Sequence, residues 1–200
     1  LSLWWSESFS FIGGQRSRGL QIESVGALPY QLWNAGPGNV SSAFQFGAIE
    51  VVASGTSIVS LLITLVGLAL LGTLFFWRVT GRLNSANPAD IALLAVLISI
   101  VTSRVLSPQY MVWVFGLLAV SAFTPQQNFK KISILICISA GIGQVIYPWW
   151  YLSLQQGGVH AVAAHAIRIL TLLWATSIAW NNLREVSRKN PSQIAIHPTS

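Results

Sequence analysis

Few side chains in this sequence could do ionic or acid–base chemistry, and four of them stand out by their surroundings. Arg18 and Glu23 lie in a short polar stretch near the start, Arg104 follows an apolar run, and Arg168 lies inside another. Arginines can stabilise a phosphate that carries developing charge, and a carboxylate can act as a general base. The residue types therefore favour phosphate chemistry over redox or thiol chemistry.

Arg168 is the position with the strongest indication of function. It lies deep in an apolar run, where an arginine is costly unless it pairs or lines a polar cavity. His165 and Thr171 lie three positions to either side, so a helix puts all three on one face. The alternative is an interhelical hydrogen bond to backbone carbonyls.

Arg104 and Glu23 also have structural explanations. Arg104 falls near the outer end of a predicted helix, where it could either snorkel to the interface or face an outward cavity that takes a phosphate. The stretch around Glu23 is typical of a short amphipathic helix ending before Pro29, with Ile22 and Val25 on one face and Glu23 on the other. That helix would lie along the interface with its charges solvated, and the spacing favours this interpretation.

A metal site is not predicted. His160 and His165 would lie about 140° apart around a helix, too far round for one ion to be shared easily. The only cysteine, Cys137, lies in an apolar run. A divalent cation held jointly with a substrate phosphate stays open, and the scattered basic residues do not indicate nucleic-acid binding.

Composition indicates what must position these residues. Apolar residues make up 53% of the chain and charged residues 8%, against roughly 25% charged in soluble domains. We therefore expect an all-α integral membrane protein with an outer-face segment (1–54), a five-helix transmembrane region (55–182) and a disordered cytoplasmic tail (183–200). The five predicted transmembrane helices are 56–77, 89–106, 110–123, 132–152 and 160–180.

The loop charges predict an orientation. If all five segments cross, the basic residues of the connecting loops and tail share one side, which the positive-inside rule makes cytoplasmic. These residues are Arg78, Arg82, Lys130, Lys131, Arg184, Arg188 and Lys189. The prediction is a multi-pass protein of the plasma membrane with residues 1–54 outside and the C-terminus in the cytoplasm.

Three segments together resemble a known family. They are the stretches RGLQIES (18–24), RVLSPQYMVW (104–113) and AIRIL (166–170). In that order they resemble motifs of the bacterial membrane glycosyltransferases of family 87, the polyprenol-phosphate-mannose-dependent mannosyltransferase group.

The resemblance implies a GT-C type helical bundle with its active site at the outer face. Such an enzyme moves a sugar from a polyprenyl-phosphate donor to a glycolipid or glycan acceptor among the membrane lipids. The residues implied to bind the lipid phosphate or shape its site are Arg18, Gln21, Arg104, Gln109, Tyr110 and Arg168, with His165 as a further candidate.

One feature departs from the family pattern. The catalytic acid of GT-C enzymes normally lies in the first outer loop, and here Glu23 is only a weak candidate for it. We therefore expect the chain to correspond to the C-terminal part of such an enzyme and to show no turnover in isolation. The alternatives are a non-catalytic protein that binds or transports an anionic lipid, and a structural membrane subunit.

Overall fold

The protein is mostly helical. The computed structural model describes residues 19–45, 47–123, 125 and 127–189, and 71% of these are helical. Arg18 lies outside the described residues. The tail predicted to be disordered from residue 183 is helical as far as Lys189, and the rest of it lies outside the described residues.

A small sheet, which an all-α fold did not predict, precedes the first long helix. It contains β1 (Leu20–Gln21), β2 (Ser41–Gln45) and β3 (Ala48–Val52), in the order β1-β3-β2 with antiparallel neighbours. A 3₁₀ turn (Val25–Ala27) and α1 (Leu28–Asn34) connect β1 to β2.

The prediction of an amphipathic helix that ends before Pro29 is wrong. Residues 20–21 form β1, and a helix begins at Leu28 with Pro29 in its first turn. Proline is tolerated there because the first turn leaves its backbone N–H groups unbonded anyway. The Ile22 N–H donates to the Ile49 carbonyl at 3.0 Å, so this part of the chain is held as the edge of the sheet.

Each of the five predicted apolar segments contains a helix. These helices are α2 (Thr56–Val79), α3 (Pro88–Val101), α4 (Met111–Ser121), α5 (Phe129–Val145) and α7 (Val159–Lys189), and a π turn (Ile146–Trp150) joins α5 to the short α6 (Tyr151–Gln155). Three stretches are long and apolar enough to cross a membrane: Thr56–Val79, Phe129–Gln155 and Val159–Lys189. α3 and α4 are apolar but shorter.

The main core lies between α3, α4, α5 and α7. Its fully buried members include Leu93, Leu97, Ile136, Ile169 and Leu172. α2 packs on the outside of this core, and only 17% of its most apolar 18-residue stretch is buried. Its remaining apolar surface would contact lipid in a bilayer, where such exposure carries no hydrophobic penalty.

The two ends of the bundle differ in character. The end with the sheet is called the sheet end, and there Gly157 approaches Asn34 closely. At the opposite end, Asn128 donates to Asn182 at 3.3 Å. A cavity of about 270 Å³ also lies there, and Ser85, Asp90 and Lys189 are among the residues that line it. This second end carries the basic loops and is called the basic end.

Candidate functional site

Two of the singled-out segments meet at the sheet end. The Gln21 backbone N–H donates to the Arg104 carbonyl at 3.0 Å. The Gln21 side-chain Oε1 accepts from the Leu106 N–H at 2.9 Å, across 85 positions of sequence. Gln21 is buried, so these hydrogen bonds fix the 104–106 loop against β1.

The third segment joins them through an ion pair. Arg168 Nη1 lies 2.6 Å from Glu23 Oε1, and both residues are 1% exposed. Gln21 Nε2 donates a long hydrogen bond, 3.4 Å, to the other carboxylate oxygen of Glu23. The expectation that Glu23 is solvated is therefore wrong, because the sheet-edge backbone turns it inward instead of placing it on an exposed helix face.

α5 provides the surface on which Arg168 lies. A Cβ at Gly143 would come within 3.2 Å of the Arg168 Cζ, closer than nearly all real contacts of this kind. The Ser139 hydroxyl donates to the Arg168 carbonyl at 3.1 Å. The small residue at 143 thus leaves the space that the guanidinium fills.

Several polar atoms around this pair have no hydrogen-bond partner within the described part of the chain. They are Arg168 Nη2, the Ser24 hydroxyl and the ring nitrogens of His165. His165 is fully buried, and its ring lies against the Ser24 backbone without forming a well-aligned hydrogen bond to it. Buried polar groups are normally paired, and an unpaired one costs about 1–3 kcal/mol. The cluster therefore offers donors for an acceptor-rich group.

The electrostatics of the pair are unusual for a salt-bridged carboxylate. Burial raises the pKa of the Glu23 carboxyl above its ordinary value, and the Arg168 guanidinium opposes this rise without cancelling it. The Tyr151 side chain also lies close to Glu23 and Gln21. For Glu23, the rise in pKa caused by desolvation is therefore larger than the fall caused by the single contact with Arg168.

The structure places the remaining predicted site residues around the same loop. α3 ends at Val101, so the expectation of a helix reaching Arg104 is wrong, and Arg104 lies partly buried in the loop that follows. Gln109 is exposed in a 3₁₀ turn. The Tyr110 ring stacks on Trp113 with centroids 5.2 Å apart. Within the described part of the chain, neither Gln109 nor Tyr110 is hydrogen-bonded to the ion pair.

An apolar cavity of about 450 Å³ is lined in part by residues close in sequence to this site. It lies between α2, α3 and α7, and its lining includes Val25 and Thr102. Val25 follows Glu23 by two positions and Thr102 precedes Arg104 by two. The cavity and the polar cluster are therefore linked by short chain segments, although no residue of the ion pair lines the cavity.

Sequence reasoning missed the bridging role of Gln21 and the burial of Glu23. A signal was present, because Leu20, Gln21, Ile22 and Glu23 alternate apolar and polar, as a strand does. Neither Gly143 nor Tyr151 was a candidate, since both reach the site only through helix packing. Among the described residues, no group of three or more His, Cys, Asp or Glu side chains could hold a metal ion.

Comparison of the chain with protein-family models, with curated proteins and with solved structures gave no match in any of the three searches. The resemblance of its three motif segments to family 87 therefore stays a prediction from the sequence. The site itself is defined by its contacts: a buried Glu23–Arg168 pair that Gln21 connects to the loop after α3.

Proposed function

We propose that this chain is part of a membrane glycosyltransferase. The enzyme would transfer a hexosyl group, mannosyl by resemblance, from a polyprenyl-phosphate donor to a glycolipid or glycan acceptor at the outer face of the plasma membrane. One observation carries the proposal. The three segments that resemble family 87 motifs are far apart in sequence, yet direct hydrogen bonds and an ion pair join them.

The polar cluster suits the departing lipid phosphate. Arg168 would contribute charge and an unpaired Nη2 donor, and His165 would contribute a ring nitrogen from the same helix. Fixed donors in a water-poor site stabilise developing negative charge well, because they need no reorganisation. In the ligand-free protein Glu23 holds Arg168 in place through the ion pair. The proposal assigns no general base to the described residues.

The neighbouring cavity suits the hydrocarbon chain of such a donor. Its wall is formed mainly by apolar side chains of three helices, including Ile63, Leu70 and Leu173. At roughly 30 Å³ for a group the size of a water molecule, a cavity of about 450 Å³ holds on the order of fifteen such groups. A lipid donor with its phosphate at Arg168 could therefore place several isoprene units beside Val25.

A second candidate function is the binding of an anionic lipid without chemistry. It is favoured by the state of Glu23, whose carboxylate is engaged by Arg168 and Gln21 and is not presented to an acceptor hydroxyl. The phosphate site and the apolar cavity would serve this function equally well.

The test compares Arg168→Gln with Arg184→Gln, a matched change at an exposed position near the other end of α7. Binding of polyprenyl phosphate to the purified protein in phosphatidylcholine nanodiscs, and mannosyl transfer by the natural polypeptide in membranes, would be measured. Loss of a buried charged contact costs about 2–5 kcal/mol, so Arg168→Gln should weaken binding by at least about 30-fold.

The control should bind as the unaltered protein does. Binding that Arg168→Gln leaves intact would contradict the proposal. Binding without any transfer by the natural polypeptide would favour the second candidate. Gel filtration and thermal unfolding of each variant would separate lost binding from lost folding.

A further inference from the structure

We propose that Glu23 occupies the anion position of the site in the ligand-free protein: an incoming phosphate displaces the carboxylate from Arg168, and Glu23 then takes up a proton from solvent. This inference rests on the proposed function, in which the head of an anionic lipid binds at Arg168. Beyond that function, it describes which group occupies the site before the ligand binds and how the ligand displaces that group.

The contact between the two side chains is incomplete. Only Nη1 of Arg168 binds Glu23, through Oε1 at 2.6 Å, while Nη2 is buried without a partner among the described residues. Arginine and carboxylate frequently form two parallel hydrogen bonds. The Glu23 Oε2 instead lies 3.4 Å from Gln21 Nε2. The carboxylate therefore accepts from only one of the two terminal nitrogens of the guanidinium.

Further polar groups lie near the ion pair. The Ser24 hydroxyl is buried and unpaired in the described part of the chain, as Arg168 Nη2 is, and the buried His165 ring lies against the Ser24 backbone. A phosphate monoester carries three strong acceptor oxygens, against two on a carboxylate. A phosphate group in place of the Glu23 carboxylate would therefore pair groups that are unpaired in the ligand-free protein.

The charged and titratable groups near Glu23 determine what happens to its proton. Arg168 and Tyr151 interact with Glu23 itself. His165 lies beside Arg168 on α7, and Glu50 lies opposite Gln21 on β3, where it accepts from the Gly19 N–H at 2.9 Å. Arg168 is the cation that contacts Glu23 directly. Once an anion neutralises it, an ionised Glu23 would be buried beside a negative ligand, which is strongly unfavourable.

Proton uptake gives the binding a definite pH dependence. The anion binds together with one proton, so its affinity should fall as the pH rises through the range where Glu23 is ionised in the ligand-free protein and protonated in the complex. The fall should approach about tenfold per pH unit for one coupled proton. Burial already raises the pKa of Glu23 in the ligand-free protein, so net proton uptake on binding should occur only above that raised pKa, where Glu23 is still ionised before the anion binds.

The experiment is isothermal titration of the purified protein in phosphatidylcholine nanodiscs with farnesyl phosphate and with inorganic sulfate. Sulfate does not titrate in the mildly acidic to neutral range, so its binding reports protons taken up by the protein alone. Titrations in buffers of different ionisation enthalpy count those protons. The variants are Glu23→Gln, His165→Asn, and Glu185→Gln as an exposed control on α7.

We expect net uptake approaching one proton per bound sulfate in the unaltered protein and in Glu185→Gln, and none in Glu23→Gln. Glu23→Gln should also bind sulfate at least about tenfold more tightly at neutral pH, since the competing carboxylate is gone. Proton uptake that persists in Glu23→Gln and disappears in His165→Asn would overturn the proposal. The count in the unaltered protein stands even if Glu23→Gln folds poorly.

Failure of this inference is distinguishable from failure of the proposed function. If neither the unaltered protein nor Glu23→Gln binds farnesyl phosphate or sulfate, the phosphate site itself is wrong. If both bind with the same affinity and without proton uptake, the phosphate site stands and the displacement of Glu23 is wrong.

Discussion

The Glu23–Arg168 contact sets the properties of the site at the scale of single residues. Two oppositely charged side chains, 1% exposed for Arg168 and 2% for Glu23, meet at 2.6 Å. Removing one partner of such a pair typically costs about 3–5 kcal/mol, because the other charge stays buried and uncompensated. The pair therefore holds the segment of Glu23 against α7, and it places the positive charge of Arg168 where an anionic ligand could bind.

The stability of the protein should depend on pH through Glu23. Burial raises the pKa of Glu23 in the folded protein above its ordinary value of 4.5, so the folded state binds more protons than the unfolded state between the ordinary and the raised pKa. The resulting stabilisation is fully present below 4.5 and is lost as the pH rises through the folded-state pKa. The measurement is the thermal unfolding temperature in nanodiscs across a pH series, compared with Glu23→Gln.

Glu23→Gln should lack this component, because glutamine does not titrate. The unfolding temperature of the unaltered protein should therefore fall relative to that of the variant as the pH rises. If it rises relative to the variant instead, Arg168 lowers the Glu23 pKa more than burial raises it.

At the scale of elements, the packing of α5 on α7 controls the position of Arg168. Gly143 and Gly141 lie two positions apart on α5 and differ in surroundings. A Cβ at Gly143 would lie 3.2 Å from the Arg168 Cζ, whereas a Cβ at Gly141 would meet nothing within 4 Å. The two glycines therefore form a matched pair for testing this packing.

Gly141→Ala should stabilise the protein by up to about 1 kcal/mol, because alanine is the better helix former. Gly143→Ala should be destabilising by about 1–3 kcal/mol relative to it, since the added methyl group displaces the guanidinium or α7. Unfolding temperatures of the two variants measure the difference. Equal temperatures would show that Arg168 shifts without cost and that α5 does not constrain it.

At the scale of the whole molecule, the length of α7 relates the site to the membrane. Its 31 residues span about 46 Å at 1.5 Å per residue, against about 30 Å of bilayer core. If the core begins at Arg184 on the basic end, it ends about 20 residues earlier, near Ala164. Arg168 would then lie about one turn inside the boundary nearest the sheet.

Cysteine labelling would test this arrangement. In a Cys137→Ser background, needed because Cys137 is exposed, cysteines would be placed at Ser42 of β2 and at Asn84 between α2 and α3. A membrane-impermeant maleimide should label Ser42→Cys in intact cells and Asn84→Cys only in inverted vesicles. Labelling of both from one side would contradict a sheet end and a basic end on opposite faces.

The long apolar runs were predictable because membrane-length hydrophobicity is a local property. The segments that became α2, α5 and α7 could be read directly from the sequence, and three stretches are long and apolar enough to cross a membrane. An apolar surface on every side of a helix is compatible with lipid, so these helices could be predicted without knowledge of the helix–helix contacts.

The direction of Glu23 and the meeting of Gln21 with the loop after α3 were decided only by the tertiary structure. Those contacts join residues 85 and 145 positions apart. Helical periodicity placed Glu23 on a solvated face because it considers only neighbours along the chain. A hydrogen bond from Ile22 to Ile49 instead makes that stretch a sheet edge, and a buried carboxylate can persist there only because Arg168 comes from a distant helix to pair with it.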